Sequence, residues 1–140
     1  MYTLNFDGSL TGKTKKSNYA GAAWALFDDT GKQIAHGISS YKKRWQIHIE
    51  YQALIDGLAY IILNNYNHEH IKICGDCAEV LDKLQGKGSV YTKDTVKNLF
   101  DCAANMLTIL DSYELIHIDR KYNKLCDAYS RYALDYGVII

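Results

Sequence analysis

The apolar residues of this chain change their spacing near residue 45, and no other feature restricts its possible folds as much. Up to Tyr41 the spacing is that of extended strands. In residues 2–7 (YTLNFD), Tyr2, Leu4 and Phe6 fall on one face and Thr3, Asn5 and Asp7 on the other, which is strand alternation. Residues 8–18 (GSLTGKTKKSN) form a polar, basic turn, and a second apolar run extends from Tyr19 to Phe27. Asp28-Asp29-Thr30-Gly31 has turn chemistry, and Gln33 to Tyr41 reads as a third strand. Three strands joined by short turns predict an antiparallel meander.

Beyond that point the spacing is helical. Ala53, Leu54, Gly57, Leu58, Ile61 and Ile62 predict an amphipathic helix over about residues 48–65. His70 to Cys74 is a short strand-like run that ends at Gly75-Asp76. Helices are expected at about 78–85 and 94–110, a strand near 113–119 (YELIHID), and a last helix from about Lys124 to Tyr136. The order βββ-α-β-α-α-β-α predicts an α/β chain with helices packed on a mixed sheet.

The 140 residues contain no repeat, low-complexity tract or dividing linker, so residues 1–140 read as one domain. With 48% hydrophobic and 23% charged residues the chain is expected to fold rather than stay disordered. Lys plus Arg and Asp plus Glu both total 16, so nucleic-acid binding has to rest on local clusters rather than net charge. The first residues lack a basic segment followed by an apolar run, and no stretch approaches the roughly 20 apolar residues of a membrane span. A cytoplasmic chain without membrane association is therefore expected, with its four cysteines reduced.

Four acids stand at the ends of these elements. Asp7 and Asp76 sit at the carboxyl ends of two strands, where α/β sheets gather ligands. Glu50 and Asp127 lie near the starts of two helices. Singly, each has a plain structural explanation. Asp7 opens a turn, Asp76 is an N-cap, and Glu50 and Asp127 favour the positive ends of helices. Those roles do not explain why Glu50 extends the apolar stripe, where a buried carboxylate is costly unless paired. Nor do they explain why two strands end in Asp. Clustered carboxylates repel one another unless cations neutralise them. Mg²⁺ takes carboxylate oxygens and keeps waters and phosphate oxygens in its other positions. Two such ions about 4 Å apart activate water and stabilise the leaving oxygen in phosphodiester cleavage.

The segments FDGS (6–9), EYQALIDGL (50–58), GDC (75–77) and DRKYNKLCDAYSRYAL (119–134) resemble type 1 ribonucleases H, in the family's order and across nearly the whole chain. The resemblance implies the ribonuclease H-like α/β fold: a five-stranded mixed sheet, its first three strands an antiparallel meander and its fourth and fifth parallel, flanked by helices. It implies that Asp7, Glu50, Asp76 and Asp127 are the catalytic, metal-binding acids. Asp7, Glu50 and Asp76 would hold one ion at the scissile phosphate, and Asp7 with Asp127 the other. It further implies two Mg²⁺ or Mn²⁺ ions per site and endonucleolytic cleavage of RNA in an RNA/DNA hybrid, leaving 5′-phosphate and 3′-hydroxyl ends. Gly8, Ser9, Gln46, Cys77, Arg120 and Asn123 are the expected substrate contacts, and the protein is expected to act as a monomer.

Several positions depart from the family's pattern. The tight Asn-Pro-Gly turn is replaced by the longer Leu10–Asn18 segment, which carries Lys13, Lys15 and Lys16. Trp45-Gln46-Ile47 stands where Thr-Asn-Asn usually helps read RNA 2′-hydroxyls; Gln46 offers an amide and Trp45 a stacking surface. Position 77 is Cys where Ser is frequent. Gln85 to Thr92 is a short loop where some bacterial members have a basic helical extension. No histidine lies between Asp119 and Asp127, so leaving-group protonation would fall to water or a neighbour such as Arg120; His117 lies within a strand. The groups Lys13, Lys15, Lys16 and Lys42, Lys43, Arg44 either form a phosphate-binding rim or are solvated loops.

These departures leave double-stranded RNA open as an alternative substrate, along with binding without cleavage. The chain also carries Cys74-Gly75-Asp76-Cys77, whose CxxC spacing can signal zinc or thiol redox chemistry. No second CxxC or paired histidines accompany it, so core packing for Cys74 and proximity to the acids for Cys77 are the expected roles.

Overall fold

The computed structural model describes residues 1–10 and 18–137. Five strands form one sheet: β1 (Tyr2–Ser9), β2 (Tyr19–Phe27), β3 (Gln33–Lys42), β4 (His70–Gly75) and β5 (Ser112–His117). Four helices accompany it: α1 (Gln46–Leu63), α2 (Ala78–Leu84), α3 (Asp94–Leu107) and α4 (Lys124–Tyr136). The strand order is β3-β2-β1-β4-β5. β1, β2 and β3 pair antiparallel, while β1–β4 and β4–β5 pair parallel. The fold is the mixed α/β sheet that the resemblance implied. Lys13, Lys15 and Lys16 lie outside the described residues.

Small residues let two helices close on β2. Every residue from Ala20 to Leu26 is buried, because α1 covers one face of the strand and α4 the other. A Cβ at Gly21 would stand 1.8 Å from the Ser130 carbonyl oxygen of α4. On the opposite face a Cβ at Gly57 of α1 would stand 2.8 Å from Leu4 Cδ1. Leu4, Phe6, Leu54, Leu58, Ile61, Ile71 and Ile73 fill the α1 side and are wholly buried.

Among the boundaries that differ from expectation, three bear on the site. β1 runs two residues past Asp7, because Gly8 and Ser9 pair with Ala22 and Gly21 of β2. Asp7 is therefore inside the strand rather than at its end. α1 begins at Gln46, with Trp45 as an extended N-cap that supplies no side-chain cap. Glu50 consequently lies beyond the first turn, where a helix-dipole role is weak. β5 ends at His117, and Asp119 caps a short 3₁₀ turn (Arg120–Tyr122) by accepting from the Lys121 N–H. Among the described residues no helix is long and apolar enough to cross a membrane.

Candidate active site

The parallel pairing of β1 with β4 sets Asn5 opposite Cys74. Two residues further on come Asp7, still within β1, and Asp76, just past the end of β4, so the sheet itself brings these acids together. Glu50 reaches them from above. Gly8 permits this, since a Cβ there would stand 2.7 Å from Ile49 Cγ2 and 2.8 Å from the Ile49 carbonyl carbon. With no side chain at position 8, α1 lies against β1, and the Gly8 N–H donates to both Glu50 Oε1 (2.8 Å) and Asp7 Oδ1 (3.0 Å).

One carboxylate oxygen from each of Asp7, Glu50 and Asp76 lies within 4.8 Å of the others. Asp7 is 4% exposed and Glu50 2%. Burial, reinforced by the charge of Asp76, pushes the Asp7 carboxyl up to about 7. Burial and the neighbouring Asp7 push Glu50 well above the usual carboxylate range. Glu50 Oε2 and Asp76 Oδ2 are both buried without a hydrogen-bond partner. Buried polar atoms without partners are costly, and two carboxylate oxygens left so beside a third acid suit a hard divalent cation. Asp76 does not act as an N-cap: that position is Cys77, and no side chain caps α2.

Asp127 stands apart from this trio. It lies in the first turn of α4, accepts a hydrogen bond from Arg131 Nε at 3.1 Å and sits 3.7 Å from Arg120 Nη2. Its charge still reaches Asp7, whose carboxyl it helps to raise. The start of α4 is fastened to β1. Asn123 Nδ2 donates to the Phe6 carbonyl (2.9 Å), and Ser130 Oγ meets Ser9 Oγ (2.8 Å). Ser130 spends its one hydroxyl hydrogen on the Asp127 carbonyl (2.9 Å), so Ser9 is the donor of that pair.

A cavity of about 350 Å³ opens over the acids, and Gly8, Ser9, Gln46, Cys77 and Arg120 share its wall. Gln46 Nε2 donates to the Gly8 carbonyl (2.7 Å) and to Glu50 Oε1 (3.2 Å), so its amide braces the site from within. Burial, then the Glu50 charge, pushes the Cys77 thiol up to about 11, which leaves it protonated at neutral pH. Asn123 is off the wall: 1% exposed and bonded to Phe6, it holds α4 in place. Ahead of α1, Lys42, Lys43, Arg44 and Trp45 are exposed, and Lys93 Nζ lies 3.8 Å over the Trp45 ring.

Two contacts were not anticipated. His117, the last residue of β5, donates from Nε2 to the Asp76 carbonyl (3.2 Å) and so steadies the β4 turn. Arg131 pairs with Asp127 across one helical turn, a spacing readable from the sequence. The cysteines are all free thiols, and among the described residues the one potential metal-binding group of three is Asp7, Glu50 and Asp76. The CxxC thus has no zinc ligand set around it there.

The model of the reverse transcriptase-like family matches residues 5–133. No curated protein matches the chain. Among solved structures, ribonuclease H1 from the halophilic archaeon Halobacterium salinarum NRC-1 is 27% identical, with a TM-score of 0.81 over 96% of this chain and 97% of that one. LC11 ribonuclease H1, isolated from compost and solved in complex with RNA/DNA hybrid, is 19% identical, with a TM-score of 0.86 over 98% and 99%. A foamy viral protease-reverse transcriptase, also with RNA/DNA hybrid, is 11% identical, with a TM-score of 0.77 over 98% of this chain and 20% of that one. The chain belongs to the reverse transcriptase-like family, and its fold is that of the type 1 ribonucleases H.

Proposed function

We propose that this ribonuclease H is a metal-dependent endonuclease that hydrolyses the RNA strand of RNA/DNA hybrids and leaves 5′-phosphate and 3′-hydroxyl ends. The observation that carries this reading is the cluster of buried Asp7 and Glu50 with half-buried Asp76, in which two carboxylate oxygens lack partners. Asp7, Glu50 and Asp76 would hold one Mg²⁺ or Mn²⁺, and Asp7 with Asp127 a second. Such a pair of ions supplies an activated water and stabilises the leaving oxygen. LC11 ribonuclease H1 and the foamy viral enzyme, both solved with RNA/DNA hybrid, support the choice of substrate.

The chain's own residues supply position and charge. The Gly8 N–H and the Gln46 amide fix the Glu50 carboxylate, and His117 fixes the backbone at Asp76. Arg120 lines the cavity and places a cation where a scissile phosphate would approach. Its planar guanidinium would steady developing charge on the phosphate oxygens. Among the described residues no histidine lines the cavity; the proton for the 3′-oxygen would come from water. Gly8, Ser9, Gln46 and Cys77 shape the floor against which the RNA strand would lie.

The test is cleavage of labelled RNA/DNA hybrid, double-stranded RNA and DNA with Mg²⁺, Mn²⁺ or EDTA. Hybrid should be cut first and only with metal. Equal cutting of double-stranded RNA would replace the hybrid assignment, and that outcome has a physical basis. The Gln46 amide, expected to read 2′-hydroxyls, is bonded inside the protein.

A further inference from the structure

We propose that Arg131 is the resident counter-ion of Asp127 at the second metal position. It holds the Asp127 carboxylate with its own charge, so a cation entering there must take the place of a guanidinium. The proposal rests on the two-metal reading above.

Of the four acids, Asp127 alone is met by cationic side chains among the described residues, with Arg131 Nε at 3.1 Å and Arg120 Nη2 at 3.7 Å. Around Asp7 and Glu50 the donors are neutral: the Gly8 N–H and the Gln46 amide. Charge compensation at the site is therefore lopsided. The trio awaits an external cation, whereas Asp127 carries an internal one.

The backbone cannot relieve this arrangement. α4 is clamped to the sheet by the Asn123–Phe6 hydrogen bond and the Ser9–Ser130 contact. The Ser130 carbonyl also lies where Gly21 would otherwise carry a Cβ. With α4 held in this way, a side-chain turn that carries Asp127 Oδ1 towards Asp7 would give up the Arg131 contact. Asp followed by Arg four residues later is the favourable orientation for a helical ion pair. Arg131 side-chain exposure of 42% and Asp127 exposure of 24% make it a partly solvated one. Competition from such a pair is worth about two- to fivefold in a binding constant.

The experiment is calorimetric titration of Mn²⁺ into the full chain and its Arg131→Gln, Arg131→Lys and Arg120→Gln variants. The wild type should bind two ions with unequal affinity. Arg131→Gln should tighten the weaker site about two- to fivefold and leave the tighter one unchanged. Arg131→Lys should restore the wild-type value, and Arg120→Gln, which removes only the longer contact, should shift the weaker site less than about twofold. An unchanged or loosened weaker site in Arg131→Gln overturns the proposal. A single Mn²⁺ site in both wild type and Arg131→Gln overturns it too, while leaving the three-acid cluster standing. No Mn²⁺ binding by the wild type overturns both this proposal and the proposed function.

Discussion

At the residue scale the site is governed by carboxylates kept together against their own repulsion. The Asp7 carboxyl, raised from its ordinary value to about 7, prefers to be neutral in the folded protein. A raised folded-state value means that this group's contribution to stability is complete below about pH 4 and is lost as pH climbs towards 7. The metal-free wild type should therefore lose stability relative to Asp7→Asn between pH 4 and 8. Every tenfold gain in proton affinity on folding is worth about 1.4 kcal/mol, so Asp7→Asn should be more stable by about 1–4 kcal/mol at pH 8 in EDTA. Thermal melts of the two proteins at pH 4 and pH 8 check this. A gap that stays constant with pH would remove the crowding argument. Mg²⁺ should raise the wild-type melting temperature at pH 8 and do little for Asp7→Asn.

At the scale of elements, the distance between α1 and β1 decides where Glu50 stands. Gly8→Ala would drive a Cβ to 2.8 Å from the Ile49 carbonyl carbon and 2.9 Å from its oxygen. Backbone cannot move aside as a side-chain tip can, so the helix would lift. We predict a loss of about 1–3 kcal/mol of stability, read from chemical denaturation. Cleavage rate should fall by about tenfold to a hundredfold, since a displacement near 1 Å is costly at a reacting centre. Wild-type stability and rate in Gly8→Ala would show that the close approach is not needed.

The elements themselves were largely legible. The β2 limits, Tyr19–Phe27, and the α4 limits, Lys124–Tyr136, stand where periodicity put them. The end of β1 was not, because Gly8 and Ser9 give no apolar signal and are drawn into the strand by pairing with β2. The start of α1 was missed by two residues because Trp45 caps the helix without a capping side chain. Side-chain direction was the least legible. Ser9 and Asn123 turn inward to α4 and β1, choices made by tertiary neighbours that spacing alone does not encode.

At the scale of the whole molecule, the parallel pairing of β1 with β4 brings Asp7 and Asp76 together across about half the chain, and α1 adds Glu50 to them. Net charge contributes nothing, since cationic and anionic side chains both total 16. Substrate affinity would then rest on local cations: Arg120 on the cavity wall and the exposed Lys42, Lys43, Arg44 and Lys93. Five such phosphate contacts would give a log–log salt slope of about −4.5. Fluorescence anisotropy of labelled hybrid across a salt series measures it, and a much steeper slope would point to a larger basic surface than these residues provide.

The central claim is that the acidic cluster is a divalent-metal site for cutting RNA. Its most direct test is cleavage of a 5′-labelled RNA strand in an RNA/DNA hybrid by the wild type and Asp76→Asn, with Mg²⁺, Mn²⁺ or EDTA. The wild type should cut with metal, stop with EDTA, and lose at least about a hundredfold of its rate in Asp76→Asn. A wild type inactive with both metals, or an Asp76→Asn protein that cuts as fast as the wild type, would contradict the account.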